Sequence, residues 1–173
     1  MARRREAKDP YTKDARDPLE VIAKFLVGGS YRVPAQGGKG EPLRASDVAA
    51  AVGYMRDPLE QKAVVAVVTR AGKHEIAKLS LLAYRRVIRA VRQMRPQPVD
   101  LGVAADRWRV RMAVYDAATE LVWPERRRPM KDLAKDSKMR LTSYIALHKC
   151  ASAVLQEALN DGRRDFQRRM RGW

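Results

Sequence analysis

Residues 129–171 read PMKDLAKDSKMRLTSYIALHKCASAVLQEALNDGRRDFQRRMR, and the interpretation of this stretch decides the fold. Its apolar residues fall at the spacing of two helices joined by a tight turn. Leu133 and Ala134 share a face of a short first helix, Met139 follows the turn, and Tyr144 and Leu147 return to that face on a second. Ala134 suits a crossing where one backbone must present a small side chain to the other. Thr142 can cap the second helix by accepting a bond from a free backbone N–H, which predicts a start at Ser143. The turn reads Asp136, Ser137, Lys138 and lacks the glycine that takes a left-handed backbone without penalty, so either Lys138 adopts that conformation or the turn differs. The second helix is expected to run to about Met170, with Gly162 ending or bending it. The pattern predicts a helix-turn-helix, although packing alone gives a basic helical protein similar spacings.

Ahead of this region the chain also reads as helical. MARRREAKDPYTKDAR, residues 1–16, has no apolar periodicity and reads as a mobile basic arm able to contact phosphates. Asp17, Pro18 and Glu20 form a helix start, and Leu19 to Val27 a short helix that Gly28 and Gly29 stop. Residues 28–45 hold five glycines and two prolines, with neither GxGxxG spacing nor a Walker lysine. Ser46 is expected to cap a helix from Asp47 to Tyr54. The RDPLE of Arg16 to Glu20 recurs at Arg56 to Glu60 and starts another, Asp57 to Ala71, whose AVVAVV core also permits a strand. A long helix from about His74 to Met94 carries Arg85, Arg89 and Arg92 on one face, and no acidic residue lies between Glu75 and Asp100 to pair with them. Asp100 is expected to start the next helix, Gly102 to Val122. In it Trp108 and Tyr115, with Trp123 just beyond, read as core anchors rather than base-stacking platforms. The expected fold is all-α: an arm over 1–16, a helical domain over 17–123, and a helix-turn-helix region with a long last helix over 124–173.

Charge narrows the function. Thirty-six Lys and Arg stand against 20 Asp and Glu, a net charge of +16 with a pI near 10.5, and so basic a surface repels itself unless it meets a polyanion. Residues 124–173 hold 13 basic against 6 acidic side chains, about twice the surplus per residue of the chain before them. A membrane is the weaker partner, because the longest apolar run is Ala63 to Val68 and residues 2–5 offer no acylation start. The single cysteine, Cys150, fits a reducing cytoplasm, and with only His74 and His148 beside it no zinc site and no other cofactor is expected. Cys150 stands two residues after His148, so on a helix the pair diverges and a structural thiol is the expectation. No nucleophile elbow, HExxH or converging carboxylates point to an enzyme; Asp106 and Asp116 stand about three turns apart, too far to share an ion.

The partner expected is double-stranded DNA. Arg140, Thr142, Ser143 and Ala146, near the amino end of the second helix, are the candidates for base edges. Arg126, Arg127, Arg128, Lys131 and Lys138 are the candidates for phosphates, with Arg85, Arg89 and Arg92 as a secondary basic face. The layout of WPERRRPMKDLAKDSKMRLTSYIALHKCASAVLQEALNDG, a helix-turn-helix running into a long alanine-rich helix and a basic end, resembles the carboxy-terminal part of small bacteriophage late-gene antiterminators of the Q type. It is also similar in layout to region 4 of sigma factors. The resemblance covers roughly the last 50 residues. It implies a transcription regulator in the bacterial host cytoplasm that binds DNA near a late promoter and loads onto RNA polymerase with its sigma factor. Some members of that group carry a zinc-binding cysteine cluster, and this chain would fall in a zinc-free subset. Two other DNA binders, a small terminase subunit or a phage repressor, would use the same helix pair, and charge spread over the whole chain leaves an RNA-binding protein as a further alternative.

Overall fold

The computed structural model describes residues 17–27 and 44–171, so the expected arm over 1–16 and nearly all of the glycine-rich stretch lie outside the described residues. Among the described residues seven α-helices make up the architecture and no strand occurs. They are α1 (Pro18–Leu26), α2 (Ala45–Gly53), α3 (Pro58–Val68), α4 (Lys73–Gln93), α5 (Ala104–Val122), α6 (Met130–Asp136) and α7 (Leu141–Arg171), with a single 3-10 turn at Pro124–Arg126.

Helix starts follow local chemistry. Asp17 and Asp57 each accept a bond from the N–H two residues on, Leu19 and Leu59, and each is followed by a proline that has no N–H to satisfy. The two RDPLE copies are therefore the same start signal used twice. Ser46 is not a cap. Arg44 holds that position and Asp47 reaches back to the Arg44 N–H at 2.9 Å. Asp100 does not open α5 either; it accepts from the Gly102 N–H while Asp106 accepts from the Asp100 N–H, and Val103 is the cap. AVVAVV is helical because its alanines, with Val64, face inward together along α3.

Helix α7, about 46 Å long at 1.5 Å per residue, is the axis of the molecule. It packs on α1 through α6. Tyr144, Leu147, Ala151, Leu155, Ala158, Leu159 and Phe166 form its buried stripe, recurring every three or four residues. One continuous core runs from Ile22 to Phe166.

Gly162 does not end this helix. It is buried against α3, where an added Cβ would sit 2.7 Å from Val64 Cγ2 and 2.9 Å from the Glu60 carbonyl oxygen. The glycine is a close approach of two helix backbones, and the helix runs on to Arg171.

Two helix ends share one device. After α6, Met139 donates to the Ala134 carbonyl and Lys138 to that of Lys135, with Lys138 at φ 50°. After α3, Ala71 donates to Ala66 and Arg70 to Val67, with Arg70 at φ 50°. Both are paired-bond terminations that usually place glycine at the left-handed residue. Here long cationic side chains accept the backbone cost.

Candidate nucleic-acid interface

The α6–α7 pair is built from the residues the spacing singled out. Leu133, Ala134, Tyr144 and Leu147 are buried, and Met139 packs against them. Ser137 in the turn is fully buried and its hydroxyl has no hydrogen-bond partner. Thr142 is not the cap: α7 begins at Leu141, Tyr144 donates to the Arg140 carbonyl at 3.0 Å, and Thr142 lies in the first turn with its side chain exposed.

Beneath the pair is a polar cluster that sequence spacing did not suggest. Tyr144 donates its phenol proton to Asp116 Oδ2 at 2.7 Å, joining α7 to α5. One turn further along both helices, His148 Nε2 is buried 3.4 Å from Glu120 Oε2, with no hydrogen bond made. Burial raises the Asp116 carboxyl above its ordinary value, against the Tyr144 bond that lowers it. Burial likewise pushes the His148 imidazole down, outweighing the neighbouring Glu120, so the ring is held neutral. The Tyr144 phenol is driven far up, chiefly by desolvation. Positions 116 and 120, and 144 and 148, are each one helical turn apart, and that pairing of i,i+4 steps was the signal available. The Tyr144–Asp116 bond ties the amino end of α7 to α5. Cys150 is half-buried with its thiol raised by desolvation, which fits a structural role, and no group of three or more His, Cys, Asp or Glu able to hold a metal occurs among the described residues.

The arginine run is not a set of free charges. Arg126 lies over the Trp123 ring at 4.0 Å, Arg127 pairs with Glu120 at 3.2 Å, and Arg128 with Asp136 at 2.7 Å. Trp123 itself donates its indole N–H to the Ala71 carbonyl, and Arg70 also lies over the Trp123 ring, at 5.3 Å, while donating to the Val122 carbonyl and to Glu125. The turn after α3 is thereby tied to the turn after α5. By contrast Lys131, Lys138 and Arg140 are exposed and form no ion pair among the described residues. Thr142 and Lys149 are exposed on α7 with Ala146, half-buried, between them at steps of four and three, and Ser143 is half-buried beside that line. Lys149 was missed by the sequence reading, although the step from Ala146 leads directly to it.

Arg85, Arg89 and Arg92 are all exposed on α4 and unpaired among the described residues, a second cationic face carried by another helix. Trp108 departs from its expected role as a core anchor, being 47% exposed on α5, whereas Tyr115 and Trp123 are half-buried against the core. Arg111, one turn beyond Trp108, lies over the Tyr84 ring of α4 at 5.1 Å.

Comparison with known proteins finds nothing similar: no protein-family model matches the chain, nor does any curated protein or solved structure. No helix among the described residues is long and apolar enough to cross a membrane.

Proposed function

We propose that the chain binds double-stranded DNA through α6 and the first turns of α7, acting as a helix-turn-helix whose second helix lies in the major groove. One observation carries this reading. Arg140, Thr142 and Lys149 are exposed along the amino end of α7 with Ala146 half-buried between them, flanked by Lys131 and Lys138, which form no ion pair among the described residues, and the opposite face of the same turns is anchored on α5. A helix held on one side and bare on the other can enter a groove about 12 Å wide. In this reading Arg140 and Thr142 meet base edges with Ser143 and Ala146 beside them, and Lys131, Lys138 and Lys149 meet phosphates. Arg126, Arg127 and Arg128 contribute less, because each already has an intramolecular partner to give up.

The resemblance to Q-type antiterminators narrows the proposal to a transcription regulator that acts at bacterial RNA polymerase with its sigma factor, in the host cytoplasm. Selection of bound fragments from a genomic duplex library tests it. Recovery of a consensus whose advantage over random duplex shrinks in Arg140→Ala supports base reading by this helix. Equal affinity for structured RNA and duplex DNA, with no consensus, would remove the proposal in favour of an RNA-binding protein.

A further inference from the structure

Away from the α6–α7 surface, α3 and α4 enclose an open groove of about 660 Å³ lined by Pro58, Gln61, Lys62, Lys78, Leu81, Leu82 and Arg85. Leu81 and Leu82 are 66% and 42% exposed there, adjacent leucines that the core does not use. On α4 they interrupt a face that otherwise carries Lys78, Arg85, Arg89 and Arg92. Glu75 is a carboxylate at this rim. It is bonded by both Lys62 and Lys78, which hold its carboxyl down to about 2, so it stays ionised and neutralises only one of them. Together with Arg85 the rim keeps a positive excess.

We infer that this groove docks an acidic amphipathic helix of a protein partner, whose apolar side chains cover Leu81 and Leu82 while its carboxylates meet Lys62, Lys78 and Arg85. Charge selects this occupant over those the chain could supply itself. Residues 1–16 carry six basic against three acidic side chains, residues 28–43 two against one, and a second copy brings another +16. Each would bring like charge to a cationic rim. Nucleic acid satisfies the rim but leaves the leucines wet, since phosphates offer nothing apolar to cover them. The inference does not depend on the DNA-binding proposal, because it uses a different pair of helices.

The probe is a fluorescent synthetic helix of about four turns, with Leu at i, i+3, i+4 and i+7 and Glu elsewhere, against a scrambled peptide of equal composition. Anisotropy is read with the full chain at about 150 mM salt, where long-range attraction is largely screened. The amphipathic peptide is expected to bind about tenfold more tightly than the scrambled one. That advantage should vanish in Leu81→Ser/Leu82→Ser and fall in Arg85→Glu, with circular dichroism and duplex-DNA affinity of the leucine variant unchanged. Equal binding of both peptides, or an advantage that survives the leucine change, overturns the inference. So does light scattering that shows a dimer lost only in the leucine variant, which would make the groove a self-interface. Leucine-dependent binding to phosphatidylserine vesicles without peptide discrimination would assign it to a membrane and overturn the inference equally.

Discussion

The two halves of α7 are held by opposite means. Its carboxy-terminal half meets α3 at Gly162, where backbone lies against backbone and an added Cβ would meet Val64 and the Glu60 carbonyl. Its amino-terminal half meets α5 through Tyr144–Asp116 and His148–Glu120, polar groups taken out of water. The close backbone contact is unforgiving in shape. The polar contact costs desolvation but fixes one register and orientation, because a phenol and a carboxylate must meet at bonding distance. The half that presents an exposed, functionally suggestive face is the half fixed by directional bonds. Shape holds the fold together, and direction aims its surface.

The largest effect expected from breaking this contrast is at Gly162. Gly162→Leu should prevent the α3–α7 contact and leave a chain without a cooperative unfolding transition. Gly162→Ala gains helix propensity of up to about 1 kcal/mol yet must displace Val64 and press on backbone, so a net loss of about 1–3 kcal/mol in denaturant unfolding is expected. A more stable alanine variant would show that the close approach is absent.

Tyr144→Phe comes next. It leaves the Asp116 carboxylate buried without its donor, a loss of about 1–3 kcal/mol near neutral pH. The loss should be smaller at pH 5 than at pH 8, because the raised Asp116 carboxyl takes up a proton and becomes neutral as pH falls. An equal loss at both pH values would mean that the phenol packs without serving the carboxylate.

His148 gives a smaller effect of defined sign. Its folded-state pKa lies below that of a free imidazole, so the unfolded chain binds the proton first and the stability contributed by neutral His148 is present above about pH 6.5 and lost as pH falls below it. The thermal midpoint should fall between pH 7.5 and 5.5, and less steeply in His148→Gln. A steeper fall in the variant would indicate that the ring is charged and paired with Glu120 instead.

Lys138→Gly should give the smallest change, with the opposite sign. Glycine relieves the left-handed residue after α6, worth a gain of up to about 1 kcal/mol, while one exposed cation is removed. Its thermal midpoint should rise slightly as its affinity for duplex DNA drops.

How much of this was legible in the sequence depends on which force wrote each feature. Apolar periodicity at Leu133, Ala134, Tyr144 and Leu147 marked the buried faces, and Asp17-Pro18 and Asp57-Pro58 marked helix starts, because both signals are local. A left-handed Lys138 was one of the two outcomes that the missing glycine left open. Gly162 was misread because its reason lies on α3, about 100 residues away in sequence, and a glycine inside a helix otherwise signals only weakness. Thr142 and Ser46 were plausible caps by residue type, but neighbouring backbone geometry put the starts elsewhere. The pairing of Arg127 with Glu120 and Arg128 with Asp136 could not be read from a run of three arginines, since it depends on where α5 and α6 end. Trp108 was assigned to the core because aromatic residues more often anchor cores than stack on bases, whereas it is 47% exposed.

The contrast between the bare amino end of α7 and the second cationic face on α4 admits a direct test at equal charge change. Lys138→Glu/Lys149→Glu and Arg89→Glu/Arg92→Glu each replace two exposed cations that have no ion-pair partner among the described residues. Duplex-DNA affinity is measured for both against salt concentration. If α6–α7 is the DNA-binding surface, the first pair should lose binding by about a hundredfold or more and flatten the salt slope by about two, while the second keeps most of both. Loss confined to the Arg89/Arg92 pair, with Lys138→Glu/Lys149→Glu binding as tightly as the unaltered chain, would contradict the account.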